Sequence, residues 1–213
     1  MKIIVFGSTG DVGSRIAKEA RRRGHEVTGV VRDEQKLDHL PDGVVGRLLD
    51  VNDAKGVAAA AAGNDIVISA LRPPEGEEST LPALTKSILN SVHHSNKRVL
   101  IVGGAANLLM PNDSGYTVLT APNFLPDSVK PIAKACFSQF MMCGENEDVD
   151  WVYFSPPALL RPGVRTGQYR RGSDTLIVDK SGASQISMED FAIAVLDEAE
   201  NPRANVRRVT VAY

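Results

Sequence analysis

Lys2-Ile3-Ile4-Val5-Phe6-Gly7-Ser8-Thr9-Gly10-Asp11-Val12-Gly13 opens the chain, and its reading decides the rest. An apolar run that stops on glycine is the pattern of a strand covered on both faces. Gly7, Gly10 and Gly13 then follow at the spacing that gives a tight turn, a close approach of backbone to a ligand, and close packing of helix on sheet. The free N–H groups and positive end of the next helix would face a diphosphate. We therefore expect Gly7, Ser8, Thr9, Gly10, Asp11, Val12 and Gly13 to bind a dinucleotide. Outside a strand–loop–helix context the same glycines would mark only a structural turn. Asp11 is discordant, because its charge opposes a diphosphate unless it points to solvent or caps the helix.

Working outward, further strands are predicted at Glu26–Val31, Val44–Leu49, Asp65–Ala70, Arg98–Val102 and Trp151–Ser155. Helices are predicted over Val12–Arg23, Ala54–Ala62, Thr80–His94 and Ser128–Asn146. In the first helix Val12, Ile16, Ala17 and Ala20 share an inner face, while Lys18 and the cluster Arg21-Arg22-Arg23 form a solvated one. On the last, Val129, Ile132, Ala133, Cys136, Phe140 and Cys143 make the buried stripe. Alternating strands and helices imply an α/β fold, a Rossmann-type doubly wound parallel sheet in strand order 3-2-1-4-5-6. Past Pro156-Pro157 the pattern changes. A short strand is expected around Thr175–Val178, a helix over Met188–Glu200 and a last strand near Arg207–Ala212. No run there carries a core of its own, so residues 1–213 read as a single domain with 156–213 as a small C-terminal cap on the substrate side.

Composition excludes several functions. Twenty-four basic against twenty-six acidic residues leave a net charge of −2, without the basic excess of a nucleic-acid binder. No apolar run approaches the roughly 18–20 residues of a membrane span. No export signal is visible, and with two cysteines the expected location is the cytoplasm. Cys136 and Cys143 fall too far apart on one helix to form a bridge, and no metal site is expected. The expected partner is a small-molecule acceptor, with neither nucleic acid nor membrane involved, and the chain is expected to be a monomer or a homodimer.

Open α/β sheets bind ligands at the carboxyl ends of their strands. Arg32 ends the second strand, where an arginine pairs with the 2′-phosphate of NADP and an acidic residue grips the ribose of NAD. Asp33 follows at once and can still reach a ribose, but we expect NADP(H) over NAD(H). Asp50, with Val51, closes the third strand, either as an adenine acceptor or as a turn cap. Ser69, Ala70, Leu71 and Arg72 close the fourth, Gly103 the fifth, and Pro156, Pro157 and Ala158 follow the sixth as walls for a nicotinamide or as a plain chain break.

Taken together, these pieces resemble the atypical short-chain dehydrogenase/reductase superfamily, and within it the NADH–flavin reductase group, whose relatives include biliverdin reductase B and NmrA-like regulators. The resemblance runs nearly end to end. It is carried by MKIIVFGSTGDVGSR (Met1–Arg15), GHEVTGVVR (Gly24–Arg32), DIVISAL (Asp65–Leu71), VLIVGGA (Val99–Ala105), DWVYFSPP (Asp150–Pro157) and PGVRTGQY (Pro162–Tyr169). It implies an NADP-linked reductase whose flavin is a substrate rather than a bound prosthetic group. Typical members of the wider superfamily hold a Ser after the fifth strand and a Tyr-x-x-x-Lys on the next helix. Here the strand runs into Gly103-Gly104-Ala105; Lys134 matches the Lys, but Lys130 stands where the Tyr would.

Without a phenol no general acid serves a carbonyl oxygen, a loss of about 10²–10⁴-fold. A flavin-like or quinone-like ring needs no such acid, so the catalytic residue is left unassigned, with Lys134 the sole candidate. Lys130 and Lys134 form a like-charge pair that is either merely solvated, the commoner case, or relieved by a bound anion. Tyr116, Phe124, Trp151 and Tyr169 are stacking candidates, with core the better reading for Trp151. The alternative function is a non-catalytic NADP-binding redox sensor of the NmrA-like type.

Overall fold

The computed structural model describes residues 1–111 and 114–213. Six parallel strands form the centre of the sheet: β1 (Lys2–Phe6), β2 (Glu26–Val31), β3 (Val45–Leu48), β4 (Ile66–Ser69), β5 (Arg98–Val102) and β6 (Trp151–Ser155). Their order is β3-β2-β1-β4-β5-β6, the doubly wound arrangement the alternation implied. The chain then adds β7 (Leu159–Arg161), β8 (Arg170–Gly172), β9 (Gln185–Ser187) and β10 (Arg208–Ala212). β10 lies parallel to β6 and β8 antiparallel to β10, so the last residues extend the main sheet, while β7 and β9 pair as a separate ribbon.

Alternation along each strand divides the core into two layers. Ile3 and Val5 face helices α1 (Asp11–Arg22) and α5 (Met188–Glu200), in a layer with Ile16, Phe154 and Phe191. Ile4 and Phe6 face the layer that holds Leu89 of α3 (Leu81–Val92), Cys143 of α4 (Lys130–Gly144), Val57 of α2 (Ala54–Ala62), and Tyr153. Ile3, Ile4 and Val5 are fully buried, and truncating an Ile of this kind to Ala costs about 2–5 kcal/mol.

Several expectations need correction. Thr175–Val178 is not a strand: Thr175 makes only an isolated bridge to Leu109, and Leu176 fills a satellite cluster with Leu108 and Val118. Three short strands lie outside the prediction, β7, β9 and the polar β8, whose Arg171 pairs with the fully buried Glu198 at 2.5 Å. Hydrophobic periodicity cannot see such a strand. Arg23 is not solvated like Arg21 and Arg22; it bonds Glu19 at 2.8 Å, Asp197 at 2.8 Å and Glu200 at 2.6 Å. On α4, Val129 lies outside the helix and is exposed, and Gln139 is buried in its stead because it bonds Tyr153 and Thr85. Among the described residues no helix is long and apolar enough to cross a membrane, and no group of three or more His, Cys, Asp or Glu side chains is placed to hold a metal.

Candidate functional site

Strand order reverses between β1 and β4, and the crevice of a doubly wound sheet opens at that point. Gly7 sits there with φ +80°, and a Cβ on it would fall 2.4 Å from the Ala70 carbonyl oxygen. A Cβ on Gly13 would fall 2.1 Å from the Gly7 oxygen, so helix, loop and both strand ends meet as bare backbone. Gly10 differs: its nearest neighbour would be Gly7 O at 3.3 Å, and the residue is exposed. The Gly10 N–H closes the turn onto Gly7 O at 3.0 Å. Among the described residues no side chain caps α1, and its first-turn amides are open to an anion.

Asp11 is the first residue of α1 rather than its cap, and is exposed, so its carboxylate is free to turn toward water. Ser8 is buried and donates to Val30 O at 3.2 Å, which ties the loop to β2; Thr9 is half-buried and Val12 packs against the α1 layer. Ser69 at the end of β4 is buried with no partner for its Oγ among the described residues. This cradle of bare backbone and uncapped amides fits a diphosphate.

The neighbouring strand ends divide their acidic and basic groups. Asp33 is spent locally, accepting from the Gln35 N–H at 3.0 Å as the cap of the 3₁₀ turn Glu34–His39. Arg32 is exposed and has no ion-pair partner among the described residues. Asp50 accepts from Asn52 N–H at 2.8 Å, the turn-cap geometry, beside the buried Val51. Ala70 is buried, Leu71 packs between two core clusters, and Arg72 is exposed.

The end of β5 explains why no hydroxyl stands there. A Cβ on Gly103 would lie 1.8 Å from the Tyr153 ring, and one on Gly104 would lie 2.8 Å from Cys136. Tyr153 is fully buried; its hydroxyl is 2.9 Å from both Cys136 O and Gln139 Oε1, and accepts the Gly104 N–H at 3.3 Å. Gln139 Nε2 donates onward to Thr85 Oγ1 at 2.8 Å. Burial, reinforced by Cys136, pushes the phenol well above its usual value, so it stays neutral and sealed from any substrate. Burial likewise raises the Cys136 thiol to about 11 and Cys143 to about 12, as befits inert core cysteines. Lys130 pairs with Asp127 at 2.5 Å, and this carboxylate relieves the like-charge pair without a ligand. Lys134 is exposed, without an ion pair among the described residues.

Beyond β6, Pro156 and Pro157 are buried and Ala158 is exposed. The chain then runs into an exposed strap, Pro162–Tyr169, pinned onto α1 and α5 by carboxylates the sequence reading passed over. Glu19 accepts two bonds from Arg165 at 2.9 and 2.8 Å as well as one from Arg23. Asp190 accepts from the Thr166 and Gly167 amides at 2.8 Å each, from Thr166 Oγ1 at 2.5 Å and from Tyr213 at 2.7 Å. Glu189 accepts the Gly163 N–H at 2.8 Å and Arg15 Nε at 2.7 Å. A signal for them existed: Ser187-Met188-Glu189-Asp190 has the spacing of a helix-capping box, and Ser187 Oγ does accept the Asp190 N–H at 3.0 Å. Tyr169 donates to Asp197 on α5 and is therefore not a stacking surface. Trp151 is core, its Nε1–H donating to Asn146 O at 3.0 Å. Tyr116 and Phe124 are exposed, and Phe124 lines a cleft of about 530 Å³ with Leu119, Leu125, Pro126, Asp127 and Lys130.

Residues 7–202 match the family described as NAD(P)H-binding. Uncharacterized protein YwnB of Bacillus subtilis (strain 168) is 34% identical over 215 residues, covering 99% of this chain and 98% of that protein. A crystal structure named "Putative exported protein", from Burkholderia pseudomallei, is 39% identical with a TM-score of 0.89 and 100% coverage of both chains. Another, named "a putative NADH-flavin reductase", from Streptococcus pneumoniae TIGR4, is 29% identical with a TM-score of 0.88 over 100% of this chain and 99% of that one. The family match begins at Gly7, the first glycine of the loop at the β1/β4 crevice, and spans most of the chain, which belongs to the NAD(P)H-binding family.

Proposed function

We propose that the chain is an NADPH-dependent reductase that passes hydride to a flat flavin-like or quinone-like acceptor, without a Ser-Tyr-Lys triad. The observation that carries this reading is the bare turn after β5. Gly103 and Gly104 offer only backbone there, the phenol beneath them is buried, and Lys134 is exposed. A carbonyl substrate would need a proton donor at that place, while a flavin or quinone ring takes its proton from water.

Gly7–Gly13 would hold the diphosphate, Ser69–Arg72 and Gly103 the path across the strand ends, and Pro156–Ala158 the nicotinamide wall. Bound NADPH supplies the hydride. The chain supplies orientation and exclusion of water on the face where the acceptor docks. Arg32 is the reader of the 2′-phosphate in this proposal, supported by Asp33 being engaged as a cap while Arg32 has no ion pair among the described residues. The cleft beside Phe124 mixes apolar side chains with Thr120, Asn123, Asp127 and Lys130, and in this proposal Phe124 offers the ring face on which the acceptor stacks. The relative named a NADH-flavin reductase points the same way.

The test is NADPH consumption, followed by absorbance, with and without FMN, FAD, riboflavin and a quinone panel. Consumption that scales with acceptor is the expected result. Tight NADP+ binding with no turnover against any acceptor would instead identify a redox sensor.

A further inference from the structure

Most of the strap Pro162–Tyr169 is exposed, with Val164 at 74%. Its anchors are nonetheless of two kinds. Ser187 Oγ donates to Val164 O at 2.9 Å, Glu19 holds Arg165, and Asp190 holds Thr166 and Gly167; among the described residues none of these three side chains is linked by a hydrogen bond to Gly7–Gly13. Among the described strap residues, Gly163 differs in being held by a group that is linked to the loop through Arg15. Glu189 Oε2 accepts the Gly163 N–H at 2.8 Å, Oε1 accepts Arg15 Nε at 2.7 Å, and Arg15 Nη1 donates to the Asp11 carbonyl at 2.7 Å. Asp11 opens α1, whose uncapped first turn faces the crevice. Gly163 has no side chain with which to replace the contact, since a Cβ would lie 2.9 Å from Ser187 Cβ.

We infer that Glu189 is a positioning residue that couples occupancy of the phosphate loop to the backbone just past the acceptor-side wall, through Asp11, Arg15, Glu189 and Gly163. The inference rests on the coenzyme-binding reading of the glycine loop and goes beyond it. An anion seated on the first-turn amides restrains the Asp11–Val12 peptides, and with them the carbonyl that Arg15 grips. A steadier guanidinium holds a steadier carboxylate, and the Gly163 N–H opens less often. Coupling is reciprocal: whatever frees Gly163 weakens the coenzyme by the same factor. Burial would raise the Glu189 carboxyl, but the bonds from Arg15 and Gly163 outweigh it and keep the group charged. Arg15 and Glu189 are 23% and 26% exposed, partly screened, which places the effect at the modest end of the usual coupling range.

The experiment measures NADP+ affinity by calorimetric titration and amide hydrogen exchange by NMR, with Thr166 and Gly167 as internal references because Asp190 holds them independently. Saturating NADP+ is expected to slow exchange at Gly163 about fivefold or more in the unaltered protein and to leave the references unchanged. Arg15→Met and Glu189→Gln should each abolish that slowing and weaken NADP+ about fivefold, with no greater loss in the double variant. Arg15→Met keeps the Glu189–Gly163 bond, so the question stays answerable if Glu189→Gln folds poorly. Unchanged Gly163 exchange with coenzyme bound, slowing that persists in Arg15→Met, or losses that multiply in the double variant would each overturn the coupling while leaving the reductase reading intact. Failure of both NADP+ and NAD+ to bind would overturn the two together.

Discussion

Arg32 and Asp33 show how a single residue's local duty bears on the role proposed for its neighbour. Both are exposed at the end of β2, and a sequence cannot say which of the two looks at a ligand. The Asp33 carboxylate is committed to Gln35 N–H, leaving Arg32 as the open charge. Arg32→Ala is expected to weaken NADPH about tenfold or more, the scale of a lost charge-assisted phosphate contact, and NADH by less than twofold. Equal losses for both coenzymes, in parallel titrations, would remove Arg32 from the 2′-phosphate. At the same scale, spacing leaves the Lys130–Lys134 pair either solvated or relieved by a bound anion, and Asp127, three residues upstream of Lys130, supplies the counter-charge from within the chain.

At the scale of elements, most strands and helices of the first 155 residues were legible because they bury an apolar face, and burial leaves a period in the sequence; β3 is the exception, an edge strand with Val45 and Leu48 exposed. β1, β2, β5 and β6 have the predicted bounds, while β3 and β4 are each one residue shorter at both ends. What could not be read was the strap and β8, which are held by carboxylates and guanidinium groups from far along the chain. Glu19 meets Arg165, and Glu198 meets both Arg98 and Arg171; such pairs leave no periodic trace.

This construction also fixes a pH response. Glu19, Glu189 and Asp190 are buried enough that desolvation alone would raise them, yet arginines, backbone amides and hydroxyls hold all three below the usual carboxylate range. Carboxylates lowered by folding stabilise the protein above their unfolded values and lose that contribution as pH falls through the folded ones. Thermal midpoints should therefore be flat from about pH 7 to 5 and fall below about pH 4. Asp190→Asn should lower the midpoint at pH 7 and flatten the acid limb; a variant whose acid limb is as steep as before would show that Asp190 does not drive it.

Across the whole molecule, the order of strands places the end of the chain inside the sheet. β10 lies between β6 and β8, with Val209, Thr210, Val211 and Ala212 all buried. A cap would be dispensable for folding, but an internal strand is not. Deleting residues 207–213 should abolish the cooperative melt followed by circular dichroism, because it exposes the β6 edge and strips Val209 and Val211 from the α1/α5 layer. A truncated protein that still melts cooperatively would make β10 peripheral. The candidate site was more legible than this edge. The glycine loop is a local motif, whereas the reason for the bare turn after β5 is a ring contributed by Tyr153 on the next strand.

That ring has a consequence for how the chemistry of this scaffold can change. Installing a serine at Gly103 drives its Cβ into the Tyr153 aromatic carbons, so the substitution is barred unless Tyr153 first shrinks. Shrinking Tyr153 alone strands Gln139 and opens a void in the core. The two positions are therefore energetically coupled: a hydroxyl at residue 103 needs a smaller residue at 153, and that smaller residue carries its own cost in the core.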